Sequence, residues 1–420
     1  MDNTPNTPKI YSYDNGMQIL SLQDDNSNSI SIYFYIKVGS KDEPPHLNGI
    51  SHFIEHMVWK GTSSFQNPLA ITRYLDSLGS SYNAFVNKYL TAYHYKFPSK
   101  LESLDKICKI NKEMLFQAIM REKDMIIERN VILEEIKSDL NDPDSYFDEQ
   151  LEKNIFKDHP LGMAVGGELD NIRKIKRTDL IKYYKDKYRN DNIFIAIVGK
   201  LPSGYLKTIN KYFVSSKNKK IPNTIKNINI RPFELQLSNK QILITSILKQ
   251  VPQKHLAVCV FTPGLYGKYR LHHKIIASIL AGSMASRLFI KMRDELGLVY
   301  QISADTMNYH ELGYFIIQSK MKPQNIKPAT KAIIEEIEKI KKTGFTKKEL
   351  NITQNYIISN LIMDMEDTEF KTEFYAEQLF NYSKVKTLKQ YQTEINSITL
   401  SEINKEFKEL FTKDIYTFRT

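Results

Sequence analysis

The feature that most constrains the fold of this 420-residue chain is an internal repeat. The repeat rests on three pairs of matching segments that occur in the same order: the apolar stretches ending at Gly39 and Gly264, the segments 121–125 and 346–350, and the segments 175–188 and 398–411. The first two pairs are offset by 225 residues and the third by 223. Since a chain of this length is too long for one compact core, the matches predict a duplicated unit of about 200 residues.

Each copy alternates between strand and helix patterns. Residues 29–39 and 81–97 are rich in β-branched and aromatic side chains, which predicts one strand in the first segment and two in the second. A polar, basic segment with two prolines separates the copies. We therefore predict one domain over 9–214, a linker over 215–234 and a homologous domain over 235–420.

Charge and apolar content limit the classes of function. The formal net charge is +11, but the Lys residues are mixed with Asp and Glu along the chain, so we expect a solvated surface and no nucleic-acid partner. We also expect no membrane partner, because no apolar run reaches the roughly 18 residues of a membrane span. The N-terminus lacks the apolar segment of a secretory signal, which predicts a cytoplasmic or otherwise intracellular location. Cys108 and Cys259 are expected to be buried thiols.

The segment GISHFIEHMVWKGT (49–62) carries two histidines four residues apart. Its apolar spacing predicts a helix over 48–60, with Asn48 as the N-cap. His52 and His56 then share one helix face and can present their imidazoles to a single metal ion. Glu55 stays near that face, where it can act as a general base on a water that the metal activates.

A catalytic zinc site commonly takes a third protein ligand, which must come from elsewhere in the chain. The segment 126–139 contains Glu128 and Glu135, two helical turns apart and therefore on one face. Glu135 is the predicted ligand, and Glu128 is predicted to orient a histidine N–H. Glu134 points about 100° away from Glu135 and fits a position in solvent.

The alternative is that both histidines serve only the fold, satisfied by hydrogen bonds. The repeat tests this alternative, because a residue needed for the fold is expected in both copies. At the offset of 225, the second copy replaces the five polar residues of the proposed site by Ala277, Leu280, Ala281, Thr353 and Asn360. Their joint loss favours a chemical role in the first copy alone.

These motifs resemble those of the inverzincin (M16) zinc metallopeptidases of the pitrilysin and insulysin type. The resemblance is to the short-chain group that includes the mitochondrial processing peptidase subunits. It covers nearly the whole chain and rests on the segments 52–62, 128–136, 158–162, 281–289 and 293–300. It implies an α+β fold of two tandem homologous domains, each a mostly antiparallel sheet packed with helices, known as the LuxS/MPP-like metallohydrolase fold.

The resemblance also implies roles for single residues. One Zn²⁺ per chain would be held by His52, His56 and Glu135, with Glu55 as general base and Glu128 in support. Arg293 and Tyr300 would hold the substrate backbone or stabilise the tetrahedral intermediate. Asn83 and Ala84, on an edge strand, would line the substrate cleft.

The expected activity is that of a metalloendopeptidase of the HxxEH type, which cleaves short or unfolded polypeptides. The family's catalytic chamber resembles a clamshell of four such units. This chain supplies two units, so a homodimer is expected. The alternative function is a non-catalytic subunit that forms the chamber or binds peptides in a processing-peptidase-like complex. Intact ligands together with an intact Glu55 argue against it.

Overall fold

The structure is a computed structural model that describes residues 7–214, 237, 239–244 and 253–420. The predicted linker at 215–234 lies outside the described residues. In the described part of the chain the strands are β1 (Lys9–Ser12), β2 (Gln18–Gln23), β3 (Ser29–Ile36), β4 (Ser81–Val86), β5 (Thr91–Pro98), β6 (Ile193–Gly199), β7 (Gln241–Leu243), β8 (Lys254–Thr262), β9 (Gln301–Asn308), β10 (Gly313–Met321) and β11 (Tyr416–Arg419).

The helices of the same residues only partly alternate with the strands, because five helices follow one another between β5 and β6 and another five between β10 and β11. They are α1 (Ile50–Val58), α2 (Pro68–Asp76), α3 (Leu101–Phe116), α4 (Glu122–Asn141), α5 (Pro143–Phe156), α6 (Leu169–Lys174), α7 (Arg177–Lys187), α8 (Tyr205–Phe213), α9 (Arg270–Ala281), α10 (Arg287–Phe289), α11 (Ile326–Thr343), α12 (Lys347–Asp364), α13 (Thr368–Tyr382), α14 (Leu388–Ser397) and α15 (Leu400–Leu410). A π-helical turn, Ile290–Glu295, continues α10. None of these helices is both long and apolar enough to cross a membrane.

The chain forms two compact units, each discontinuous in sequence. The first unit takes its described residues from Met1–Asp139, Phe156–Asn227 and Met363–Thr387, and the second takes the rest. The predicted domains, 9–214 and 235–420, are instead continuous stretches. The difference arises because α13 groups with the first unit and nearly all of α5 with the second.

The first unit contains a six-stranded sheet in the order β1-β2-β6-β3-β5-β4. All neighbouring pairs are antiparallel except β2 with β6. β3 and β6 lie in the middle and are almost fully buried, which explains their runs of apolar and aromatic residues. β4 forms one edge, and α1 packs against it.

One face of this sheet carries hydroxyl and basic groups that α13 covers. The hydroxyl of Tyr33 on β3 donates to Glu373 at 2.8 Å, and Lys96 on β5 lies 2.6 Å from the carboxylate of Asp367. Phe194 on β6 stacks with Phe380 of α13. These contacts attach α13 to the first unit although it follows the second copy in sequence.

The second unit contains a five-stranded sheet in the order β7-β11-β8-β10-β9. Only β7 with β11 is parallel among the described pairs. Here α5 takes the place that α13 has in the first unit: His255 of β8 lies 2.7 Å from Asp144 and stacks on Phe147. The remaining face carries the apolar core of α9, α11 and α15.

The order of elements confirms the internal repeat. α3 and α11 begin 225 residues apart, as do α4 and α12, and α7 and α15 are offset by 223 at both ends. The α+β class with two mostly antiparallel sheets is likewise confirmed. Cys108 and Cys259 are buried free thiols, as expected.

Candidate metal centre

The N-terminus of α1 is stabilised by Glu43, a residue that the sequence did not single out. Gly49, with φ of 96° in the left-handed region, is the N-cap residue, so the prediction of Asn48 as N-cap was wrong. The buried Glu43 instead accepts hydrogen bonds from the backbone N–H groups of Gly49 and Ser51, at 2.7 and 2.8 Å. The Asn48 side chain donates to Glu43 and to the carbonyl of Ala164. Asn48 therefore ties the helix start to a neighbouring loop.

Two glycines, Gly167 in that loop and Gly49 at the start of the helix, allow the two backbone segments to approach closely. A Cβ atom on Gly167 would lie 2.5 Å from the Cα atom of Gly49, and one on Gly49 would lie 2.8 Å from the Cα atom of Gly167. Both residues also have φ near 90°, which side chains disfavour. Glycine is therefore required at both positions for this close approach.

The two histidines of α1 face each other as the spacing predicts. The Nε2 atoms of His52 and His56 lie 3.2 Å apart, and their rings are nearly perpendicular, at 86°. Two nitrogens bound to one tetrahedral zinc at about 2.0–2.1 Å are about 3.3–3.4 Å apart. The pair therefore has the separation of two ligands on one ion.

Two carboxylates lie close to this pair. Glu135 Oε2 on α4 is 3.4 Å from His56 Nε2 and 3.9 Å from His52 Nε2. Glu55 Oε2 is also 3.9 Å from His52 Nε2, and one donor atom each of His52, Glu55 and His56 lie within 4.8 Å of one another. Two imidazoles and a nearby carboxylate form a donor set that suits zinc. The residues present thus fit a metal of this kind.

Glu128 fixes the orientation of one histidine. Its Oε2 atom lies 3.1 Å from His56 Nδ1. A carboxylate can only accept, so Nδ1 carries the hydrogen, and in the neutral imidazole the lone pair is then on Nε2, on the side of His52 and Glu135. The other oxygen of Glu128 lies 2.6 Å from Lys60 Nζ. Glu128 is buried, with 7% of its side chain exposed.

Burial and neighbouring charges shift the protonation of these groups. Burial, followed by the charge of His56, lowers the pKa of His52 to about 4, which favours the neutral imidazole that a metal needs. Burial raises the pKa of Glu55 to about 7, while His56 lowers it and Glu135 raises it. Hydrogen bonds from His56 and Lys60 hold the pKa of Glu128 below its ordinary value despite burial.

Asn83 and Ala84 lie on the edge strand of the first unit's sheet. They pair with His94 and Tyr93 of β5, and the other side of β4 has no strand partner among the described residues. The side chain of Asn83 is exposed, and its oxygen accepts from the backbone N–H of Ala84 at 2.9 Å. The free edge is what peptide addition requires.

Arg293 and Tyr300 belong to the second unit, whereas the candidate metal ligands belong to the first. Arg293 lies in the π-helical turn, with its guanidinium 4.9 Å from the ring centre of Phe289. Tyr300 exposes 70% of its surface, and its backbone N–H donates to the carbonyl of Lys320. Both side chains are therefore presented to solvent on the second unit.

Glu43 and Lys60 were missed by the sequence reasoning. Glu43 lies in a segment without helical or strand periodicity, so no pattern marks it as a cap for α1. Lys60 belongs to the same motif as His56, four residues away, and that spacing would have placed it near the histidine face.

Two family models match the chain in the order of the repeat. The one described as "Insulinase (Peptidase family M16)" matches residues 18–168, which contain the candidate metal centre. The one described as "Peptidase M16 inactive domain" matches residues 174–357, where the second copy lacks the corresponding histidines. The "Uncharacterized zinc protease YmxG" of Bacillus subtilis is 28% identical over 408 residues, which cover 97% of this chain and 96% of that protein.

Solved structures share the fold at low sequence identity. A protease from Helicobacter pylori has a TM-score of 0.85 and 21% identity, with 99% of each chain covered. The periplasmic protease PqqL of Escherichia coli has a TM-score of 0.81 and 17% identity, and the match covers 99% of this chain but 48% of that one. With both halves of the chain matched in order, this protein belongs to peptidase family M16.

Proposed function

We propose that this protein is a zinc-dependent endopeptidase with one zinc ion per chain. The observation that carries the proposal is the mutual separation of three donor atoms, His52 Nε2, His56 Nε2 and Glu135 Oε2, which is 3.2, 3.4 and 3.9 Å. These distances are close to those between ligands of one tetrahedral ion. The names of relatives as zinc proteases support the same ion.

The residues of the centre divide the chemistry between them. His52, His56 and Glu135 would hold the zinc, and Glu128 would keep the His56 ring in place. When bound, zinc supplies a Lewis acid that polarises the scissile carbonyl and makes water more acidic. Glu55 takes a proton from the attacking water and passes it to the leaving amine.

The proposed substrates are short or unfolded polypeptides. An extended segment can add to β4 beside Asn83 and Ala84 by main-chain hydrogen bonds, which select for conformation more than for sequence. A folded substrate would not offer a free extended segment. Arg293 and Tyr300, exposed on the second unit, would bind the substrate backbone or the developing oxyanion.

Replacing the proposed base tests the activity. Glu55→Gln should retain zinc and lower the rate of peptide cleavage by about 10²–10⁴-fold, because the amide cannot accept the proton. Glu134→Gln, on the exposed side of α4, is the matched control and should cleave as the wild type does. Zinc content and cleavage of a quenched fluorescent peptide are the measurements. A Glu55→Gln variant as fast as the wild type would contradict the assignment.

The same assay addresses the non-catalytic alternative. A subunit that only forms a chamber or binds peptides would bind zinc and peptide, but the wild type would then show no metal-dependent cleavage. Peptide binding without turnover by the zinc-loaded wild type would therefore replace the proposed peptidase by that alternative.

We further propose a homodimer as the working form. The match to PqqL covers about half of that chain, so two copies of this protein supply the length of one such relative. In the dimer, the metal centre of one chain would act with Arg293 and Tyr300 of the other. An active 49 kDa monomer in sedimentation would contradict this arrangement.

Mixing two inactive variants tests the sharing of sites between chains. Glu55→Gln removes the base and Tyr300→Phe removes the hydroxyl of the second unit. If each site combines two chains, a mixed dimer of the two variants contains one site with both groups intact. Activity should then reappear on mixing. No recovery in a preparation shown to contain mixed dimers would overturn the proposal.

A further inference from the structure

Lys60 shares a buried carboxylate with a proposed metal ligand. Its Nζ atom lies 2.6 Å from Glu128 Oε1, and Glu128 Oε2 lies 3.1 Å from Nδ1 of His56. The two oxygens of one carboxylate thus connect the lysine to the imidazole. Lys60 exposes 23% of its side chain, so the contact is largely shielded from water.

The backbone holds Lys60 in a position to make this contact. Lys60 follows the end of α1, where its N–H donates to the carbonyl of Met57 at 3.1 Å. Its own carbonyl accepts from Arg121 Nη2 at 2.6 Å. Arg121 immediately precedes α4, the helix that carries Glu128. The lysine and its carboxylate partner are therefore tied together at both the backbone and the side chain.

A second partner for Glu128 has a defined physical effect. A carboxylate that only accepts from His56 can rotate about its terminal bond, and then the imidazole loses its fixed acceptor. An ammonium group on the other oxygen removes that freedom and helps to keep the carboxylate ionised, so that both hydrogen bonds are charge-assisted. It also supplies a positive charge in a region that holds the carboxylates of Glu55 and Glu135, which offsets the cost of burying Glu128 as an anion.

We propose that Lys60 is a positioning residue of the metal centre. It holds Glu128 so that the carboxylate accepts the Nδ1–H of His56, which keeps Nε2 of that ring directed at the zinc. The inference rests on the proposed zinc site and adds to it a residue that touches neither metal nor substrate.

Comparison of the two copies distinguishes a role of Lys60 in the metal centre from a role in packing the helices together. At the offset of 225, Lys60 corresponds to Ala285 and Glu128 to Thr353. The second copy retains helices in the places of α1 and α4, namely α9 and α12. A lysine–glutamate pair needed to hold those helices together would be expected in both copies. The pair instead occurs in the copy that has the histidines.

The first experiment measures zinc affinity without using activity. Lys60→Met keeps the aliphatic stem and removes the charge, and it should weaken zinc binding about 10-fold in competition with a chromophoric chelator, the low end of the effect of groups that orient ligands. Lys60→Arg should restore affinity to within about 3-fold. The metal-free variant should unfold at a somewhat lower temperature, because Glu128 loses the charge that offsets its burial, but it should remain folded at the temperature of the binding assay. Lys137→Met is the matched control, because Lys137 pairs with the exposed Glu134 of α4 at the same distance of 2.6 Å.

A double-mutant cycle tests whether Lys60 acts through Glu128. In a Glu128→Gln background, Lys60→Met should have little further effect on zinc affinity, since the carboxylate that Lys60 holds is already gone. Equal effects in both backgrounds would overturn the proposal, as would unchanged affinity of Lys60→Met while the wild type binds zinc. A wild type that binds no zinc would instead overturn the proposed function, and the role of Lys60 with it.

Discussion

Two adjacent carboxylates on α4, those of Glu134 and Glu135, have different partners because they lie on different faces of the helix. Glu134 and Glu135 differ by one position on α4, which rotates them by about 100°. Glu134 pairs with Lys137 at the exposed surface, whereas Glu135 reaches both imidazoles while 45% of its side chain stays exposed. Partial exposure leaves room for a substrate beside it. The chemistry of the residue therefore depends on its helix face, since the two side chains are identical.

This pair allows a matched test at the residue scale. Glu135→Gln should lower zinc affinity by at least about 10-fold, because a neutral amide is a poorer ligand than a carboxylate. Glu134→Gln, one position away, should leave affinity unchanged. Zinc content after dialysis against a chelator of known affinity is the measurement. Equal losses of zinc affinity in the two variants would show that the net charge of α4 affects binding, and would contradict the assignment of Glu135 as a ligand.

At the scale of one element, α1 depends on groups outside itself. Its nine residues are too few to form a stable helix alone, and Gly49 offers no side chain for capping. The buried Glu43 replaces the missing cap by accepting from two backbone N–H groups and from Asn48. The two histidines are correctly spaced only while this helix is formed. Metal binding is thereby linked to a residue that lies outside the motif.

Removal of the Glu43 carboxylate should lower the free energy of unfolding more than loss of the exposed cap of α2. Glu43→Ala would leave three buried donors unpaired, which we expect to lower the free energy of unfolding by about 2–4 kcal/mol. Asn67→Ala, which removes the exposed cap of α2, should cost about 1 kcal/mol. Urea denaturation of both variants gives the comparison. A smaller loss for Glu43→Ala than for Asn67→Ala would show that the buried carboxylate does not stabilise α1.

At the scale of the whole molecule, each compact unit contains one helix that comes from the other copy of the repeat. In the first unit α13 covers a sheet face that carries Tyr33, Tyr35 and Phe194. In the second, Asp144 of α5 pairs with Lys320 and His255. Neither unit is therefore complete as a continuous segment.

A fragment experiment follows from this composition. Residues 9–214 expressed alone would lack α13 and expose Tyr35 and Phe194, each worth about 1.5–3 kcal/mol of burial. We expect a broad unfolding transition at reduced temperature. A peptide of residues 363–387 added in trans should sharpen and raise the transition, whereas a scrambled peptide should not. Cooperative unfolding of the fragment at the same temperature with and without the peptide would contradict the prediction.

The candidate site could be predicted from the sequence as far as local spacing reaches. His52 and His56 come together because helical geometry alone places residues four apart on one face, and the same rule separates Glu134 from Glu135. Glu135 lies 79 positions from His56, so its choice as third ligand rested on the helix face that it shares with Glu128, on the loss of both residues in the second copy and on the family resemblance. The capping role of Glu43 was not predicted, because a buried carboxylate in an irregular segment leaves no periodic signal.

The sequence by itself determined the duplicated plan, the strand-and-helix order and the spacing of the imidazoles, because these depend on apolar periodicity and on contacts within one element. Only the tertiary structure decided which helix covers which sheet and where Lys60 and Glu43 find their partners. Those choices depend on contacts between residues far apart in the chain, where packing and the pairing of buried charges select one arrangement among many that the local pattern permits.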